Sequence, residues 1–269
     1  FSLSLANNVY SHSARTGMMD TDKVFAKHVH GILATKLSTW IDEALKPALA
    51  ELKQTASTSP SKVVSRTVQE GAQTVAVVAA SLATAGGDEE ELWTMTTKLA
   101  LSLPTESFNA RAVSTLLNAF ARRGRYDQKI LDRCSYILQH HVAGDLDPSV
   151  EAMQGNYELW TIGGATIGSV FNAYAKLQVK DEPLFQKMSR LARLLRPEDF
   201  HPVEISMIVN AIARLDYADE ALFLHLREAV LSRNDTDEFG VQAIANIANA
   251  YARVKMLDSD LVGHLSALV

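Results

Sequence analysis

A chain of 269 residues, 47% hydrophobic and 21% charged, can bury a sizeable core without staples and lies far from the composition of a disordered segment. A net charge of −5 and a pI near 5.9 exclude a protein that coats nucleic acid through bulk positive charge, so any such contact must be local. The lone cysteine, Cys134, has no partner for a disulfide or a cysteine metal site, which points to a reduced, intracellular setting, and the most apolar run, 75–83, is far shorter than the roughly 20 residues of a membrane span.

Residues 1–22 read as an extended N-terminal arm. Its first 17 residues hold several serines and Arg15 but no Asp or Glu, the composition of an organellar targeting remnant or merely of an arbitrary starting point. Across 23–54, Val24, His28, Ile32, Leu33, Leu37, Trp40, Ile41, Leu45 and Leu49 form a stripe at helical spacing, broken at Pro47. The span 23–72 is expected to be a helical cap or a worn repeat. The Ser/Thr-rich 55–62, with Pro60, is its linker candidate.

From 73 to 269 the sequence repeats. Leu117-Asn118-Ala119-Phe120-Ala121-Arg122 returns as Phe171-Asn172-Ala173-Tyr174-Ala175-Lys176, as Val209-Asn210-Ala211-Ile212-Ala213-Arg214 and as Ala248-Asn249-Ala250-Tyr251-Ala252-Arg253. Asn172 and Asn210 are 38 residues apart, Asn210 and Asn249 are 39 apart, and the 54 between Asn118 and Asn172 is one period plus an inserted loop at 139–156. A weaker copy lies 38 residues before Asn118, at Ala80. Nine residues after each reference position stands an acid, namely Glu89, Asp127, Asp181, Asp219 or Asp258, suited to cap a second helix. An apolar pair follows each acid: Leu92-Trp93, Ile130-Leu131, Leu184-Phe185, Leu222-Phe223 and Leu261-Val262. No run has strand-like alternation. The prediction is therefore all-α: an α-solenoid of about five helical hairpins of about 38 residues behind an N-terminal helical cap.

On a helical wheel, Asn and the residues four before and four after share one stripe. It joins Ser114, Asn118 and Arg122; Gly168, Asn172 and Lys176; Ser206, Asn210 and Arg214; Ala245, Asn249 and Arg253. Alanines such as Ala211 and Ala213 are expected to leave this stripe approachable, while Ile208, Val209 and Leu215 face the core. Aligned over stacked units, amides and cations can read phosphates or base edges. A recurring asparagine can equally bridge neighbouring repeats, and the basic residue can serve the helix dipole.

Chemistry-bearing motifs are sparse. The glycines of 163–168 follow no strand and end in no Gly-Lys-Ser/Thr, so close helix packing explains them better than a phosphate loop. His28 and His30 would point apart on a helix, and His140, His141, Asp145 and Asp147 sit in the insertion, whose makeup is that of an ordinary polar loop. The expectation is no catalytic residue, no cofactor, no metal and no small-molecule substrate.

The phrase at 208–215, followed by Asp219 and Leu222-Phe223, resembles the heptatricopeptide and octotricopeptide repeats of organellar FASTK- and RAP-type proteins. The resemblance covers about 73–269. It implies a mitochondrial-matrix RNA-binding protein, for instance a mitochondrial ribosome subunit, with the Asn and basic positions near RNA. The acidic net charge departs from that pattern and keeps a second expectation open: a protein scaffold within a large mitochondrial assembly that touches no RNA.

Overall fold

A computed structural model describes residues 35, 39, 42, 43, 46, 47, 50, 66–85, 90–140, 162–217, 219–233 and 239–268. All regular structure among the described residues is helical, as the sequence predicts. Ten α-helices can be delimited: α1 (Arg66–Ala85), α2 (Glu90–Ser102), α3 (Ala110–Arg122), α4 (Gln128–His140), α5 (Gly164–Leu177), α6 (Glu182–Leu194), α7 (Pro202–Arg214), α8 (Glu220–Leu231), α9 (Val241–Arg253) and α10 (Ser259–Ala267).

Two local devices recur at fixed distances from the reference asparagine. The first opens the second helix of each pair. Oδ1 of Asp127, Asp181, Asp219 and Asp258 accepts from the backbone N–H three residues on, at 3.1, 3.1, 3.0 and 2.8 Å, satisfying an amide that no preceding turn can pair. The predicted caps are therefore in place at four of five sites; Glu89 lies outside the described residues. The second device closes the first helix. Six residues after the asparagine the backbone is left-handed each time, at Gly124 (φ 62°), Gln178 (57°), Asp216 (51°) and Lys255 (61°). In the last three, the next amide reaches back to Tyr174, Ile212 and Tyr251 carbonyls at 3.0, 3.0 and 2.8 Å, the bond that terminates a helix and reverses the chain.

The chain divides into two compact units, one running to Arg123 and including Asp127–Ile137, the other comprising Gly124–Tyr126 and Leu138–Val269. In the first, α1 packs along α3, and Trp93 of α2 meets the ring of Phe120 edge-on at 5.3 Å. In the second, α7 packs against both α5 and α9, and α8 against both α6 and α10. Phe185 and Phe223 of the second helices contact Tyr217 and Tyr251 of the following pair at 5.4 and 5.1 Å. Tyr251 also donates its hydroxyl to the Phe223 carbonyl at 2.7 Å.

Glycine makes the α5–α7 contact possible. A Cβ at Gly164 would collide with the Glu204 carboxylate and the Phe200 ring, and one at Gly168 would lie 3.4 Å from the Glu204 carbonyl oxygen. Helix packing, not phosphate binding, accounts for these glycines.

Several boundaries and faces differ from expectation. The division at 72/73 falls inside the continuous helix α1, because Val68 and Ala72 already belong to its buried face. Helix α4 runs through His140, past the position 139 at which the insertion is expected to start. Of the proposed cap, the described residues 35, 39, 42, 43, 46, 47 and 50 are helical, Pro47 among them, with Lys46 Nζ donating to Asp42 Oδ1 at 2.6 Å. The arm, the 55–62 linker and 141–156 lie outside the described residues. Ala211 and Ala213 do not keep the stripe open: both are buried, because small side chains let α7 approach its neighbours closely. Leu215 is half-buried, while Ile208 and Val209 are in the core. Val262, expected inside with Leu261, is 45% exposed.

Candidate nucleic-acid interface

The eight residues singled out sit where the helical wheel places them along α3, α5, α7 and α9. Asn118, Asn172 and Asn210 are half-buried beside buried alanines, Asn249 is exposed, and Arg122, Lys176, Arg214 and Arg253 are exposed at the ends of their helices. The residue four before each asparagine differs in depth. Ser114, Gly168 and Ser206 are buried against packed neighbours and Ala245 is exposed, so the accessible stripe is narrower than the wheel suggests.

In the first unit the basic position is engaged. Arg122 Nη1 donates to Thr84 Oγ1 at 3.0 Å, joining equivalent positions of consecutive pairs 38 residues apart. In the second unit the side chains of Asn172, Lys176, Asn210, Arg214, Asn249 and Arg253 make no hydrogen bond or ion pair with any described residue. An amide that bridged adjacent repeats would show a neighbouring backbone partner, and among the described residues none does. Each half-buried amide keeps a carbonyl and an NH2 available beside a cation one turn away, a combination suited to phosphates and base edges.

Next to this row lies a cleft of about 490 Å³ between the turns of the last two pairs, floored by Ile212, Phe223 and Met256. Arg253 and Lys255 line it together with Asp216, Asp219 and Glu220. Its field is therefore mixed. Of the row's cations, Arg253 lines this cleft and Arg122, Lys176 and Arg214 do not.

A second series of polar residues escaped the sequence reading. Fifteen residues after each asparagine stand Arg133, Lys187, His225 and His264 on the second helices. Arg133 Nη2 donates to the Leu103 carbonyl, Lys187 Nζ to Gln139 O at 2.8 Å, and His225 Nε2 to Leu195 O at 2.9 Å. Each acceptor ends or just follows an earlier second helix, where carbonyls lack intrahelical partners and the dipole favours a cation. His264 Nε2 is buried with no partner among the described residues. The recurrence of Arg, Lys, His, His in register is the signal that could have exposed this series.

Two titratable groups with shifted pKa have packing or capping causes. Burial pushes the Cys134 thiol up to about 12, so it is a neutral packed side chain and not a nucleophile. A hydrogen bond from Arg227 holds the Asp258 carboxyl below the usual carboxylate range, and that carboxylate also caps α10. Its low pKa thus has a structural cause. No cluster of three or more His, Cys, Asp or Glu able to hold a metal occurs among the described residues, where His140 is the sole described member of the predicted loop set. Among the described residues no helix is long and apolar enough to cross a membrane.

No protein-family model matches this chain, and no curated protein matches it in sequence.

Proposed function

We propose that the chain is an α-solenoid of five two-helix repeats that binds RNA without catalysis, its asparagine-and-cation row lying against the nucleic-acid backbone and unpaired bases. The observation carrying this reading is the register of the second unit: Asn172 with Lys176, Asn210 with Arg214, and Asn249 with Arg253, six polar side chains unpaired among the described residues. The recurring caps and the contacts of α7 with α5 and α9 support the stacking this reading requires. By the family resemblance of the repeat phrase, the setting would be a mitochondrial ribonucleoprotein such as the mitochondrial ribosome.

The decisive measurement is fluorescence anisotropy with a labelled single-stranded RNA across a salt series. A joint Arg122→Glu, Lys176→Glu, Arg214→Glu and Arg253→Glu variant should lose binding. Single reversals should each flatten the plot of log affinity against log salt by about 0.7, the increment of one phosphate contact on a single strand. Unchanged affinity in the joint variant would remove the row from the function. A scaffold that contacts only protein is the second reading, favoured by the net charge of −5 and by exposed apolar residues on the last hairpin.

A further inference from the structure

We propose that the cleft between the α7–α8 and α9–α10 turns takes one guanine nucleotide of a bound RNA strand. The inference rests on the RNA reading and deepens it by giving that strand a preferred base.

Opposite charges border this cleft without pairing. Asp216 and Glu220 line it from the α7–α8 hairpin, Arg253 and Lys255 from the α9–α10 hairpin, and all four are exposed. Among the described residues none of these four side chains makes an ion pair or a hydrogen bond; Lys180 reaches Asp216 only at its backbone carbonyl. Two carboxylates and two cations around about 490 Å³ are thus left to a ligand carrying both N–H donors and negative charge. A nucleotide carries both, and the volume falls within the range of small-ligand sites, about 300–1,000 Å³.

One turn residue distinguishes this junction from the one before it. Tyr217 and Met256 hold the same place, seven residues after the reference asparagine, and their amides close the same bond, to the Ile212 and Tyr251 carbonyls. In the earlier turn the Tyr217 ring packs edge-on against Phe185, with 5.4 Å between centroids. In the later one the counterpart of Phe185 is Phe223, and Met256 borders the cleft with it. A flexible thioether in place of a ring leaves room, and its polarisable sulfur suits the face of a base. Tyr217, half-buried on the opposite turn, adds an aromatic surface for the same base.

The carboxylates select which base. A carboxylate only accepts, and it does so with two oxygens side by side. Adenine, cytosine and uracil place an acceptor next to every donor on their pairing edges. Guanine alone presents two adjacent donors, N1–H and the 2-amino group, with the O6 acceptor beyond them. Asp216 or Glu220 suits the donor pair, Lys255 the O6, and Arg253, already part of the row, the phosphate. Asp219, the third acid on the cleft, is held by capping α8.

The test is fluorescence anisotropy of the whole chain with three labelled strands: all-uridine, the same strand with one central guanosine, and the same with inosine in its place. The guanosine strand should bind at least about tenfold more tightly than all-uridine, the discrimination a bidentate pair provides. Inosine, lacking the 2-amino group, should lose most of that gain. Asp216→Asn keeps a residue type that tolerates φ 51°, and Met256→Tyr restores the ring of the preceding turn. Each should erase the guanosine preference and leave all-uridine affinity unchanged, which also shows that the variant is folded. Glu182→Gln, at the position matching Glu220 one hairpin earlier and outside the cleft, should alter neither. Equal affinity for the guanosine and uridine strands, or a preference that survives both cleft variants, overturns the proposal and leaves the RNA reading standing. Failure of every strand to bind defeats the RNA reading and this inference with it. Calorimetry with guanosine 5′-monophosphate separates the remaining source: saturation that Met256→Tyr abolishes, without any guanosine preference among the strands, assigns the cleft to a free nucleotide and overturns the assignment to RNA.

Discussion

Helices α7 and α9 carry one phrase, yet α7 buries Pro202, Ser206, Val209 and Ala213 where α9 exposes or half-exposes Val241, Ala245, Ala248 and Ala252. The residue classes match; the neighbours differ. A first helix packed between two others, as α7 is between α5 and α9, needs small residues on two flanks, whereas among the described residues α9 packs along one other first helix, α7. Burial in such an array is set by place in the series as much as by the side chain itself.

That contrast is sharpest under charge insertion. Ala213→Arg places a guanidinium between packed helices with no partner, a change on the scale of 4 kcal/mol or more, enough to unfold a domain of ordinary stability. Ala252→Arg, at the matching position of α9, is expected to stay within about 0.5 kcal/mol. Urea denaturation followed by circular dichroism reads both. If the two variants were equally destabilised, the hairpins would not be equivalent units.

A truncation pair comes next in size. Phe223→Ala removes a buried ring that supports Tyr251 and should cost about 3–5 kcal/mol. Val262→Ala, at the matching position 39 residues on yet 45% exposed, should cost under about 1 kcal/mol. Equal losses in thermal melts would mean that Val262 is covered in solution.

The sequence was most informative where one residue performs one local task. Asp127, Asp181, Asp219 and Asp258 could be assigned as caps because a carboxylate before an apolar pair has few other uses, and all four accept the expected amide. The apolar pairs were legible for the same reason, except at Val262, which is exposed. Ala211 and Ala213 were misread because a helical wheel gives angles about one axis and says nothing of how many helices surround it. The latch series of Arg133, Lys187 and His225 stayed hidden because three residue types with different pKa values and shapes perform one role: donating to a free carbonyl about 30 to 48 residues earlier. As for the candidate row, its register was legible, whereas the difference between Arg122, bonded to Thr84, and Arg214, unpaired among the described residues, arises from a threonine 38 residues away.

The smallest effects concern the four left-handed turn residues, and they compare glycine with its substitutes directly. At Gly124 (φ 62°) nothing lies within 4 Å of a built Cβ, so Gly124→Ala costs only the backbone preference against this conformation, about 1 kcal/mol. Lys255 holds φ 61° with a Cβ present, so the reverse change, Lys255→Gly, relieves that strain while adding freedom to the unfolded chain. These terms oppose each other, and the net gain should be a few tenths of a kcal/mol, below the loss at Gly124 and opposite in sign. Matched melts of the two variants decide it: a destabilised Lys255→Gly would mean that the lysine side chain supplies something the turn needs, and the four termini would not be interchangeable versions of one device.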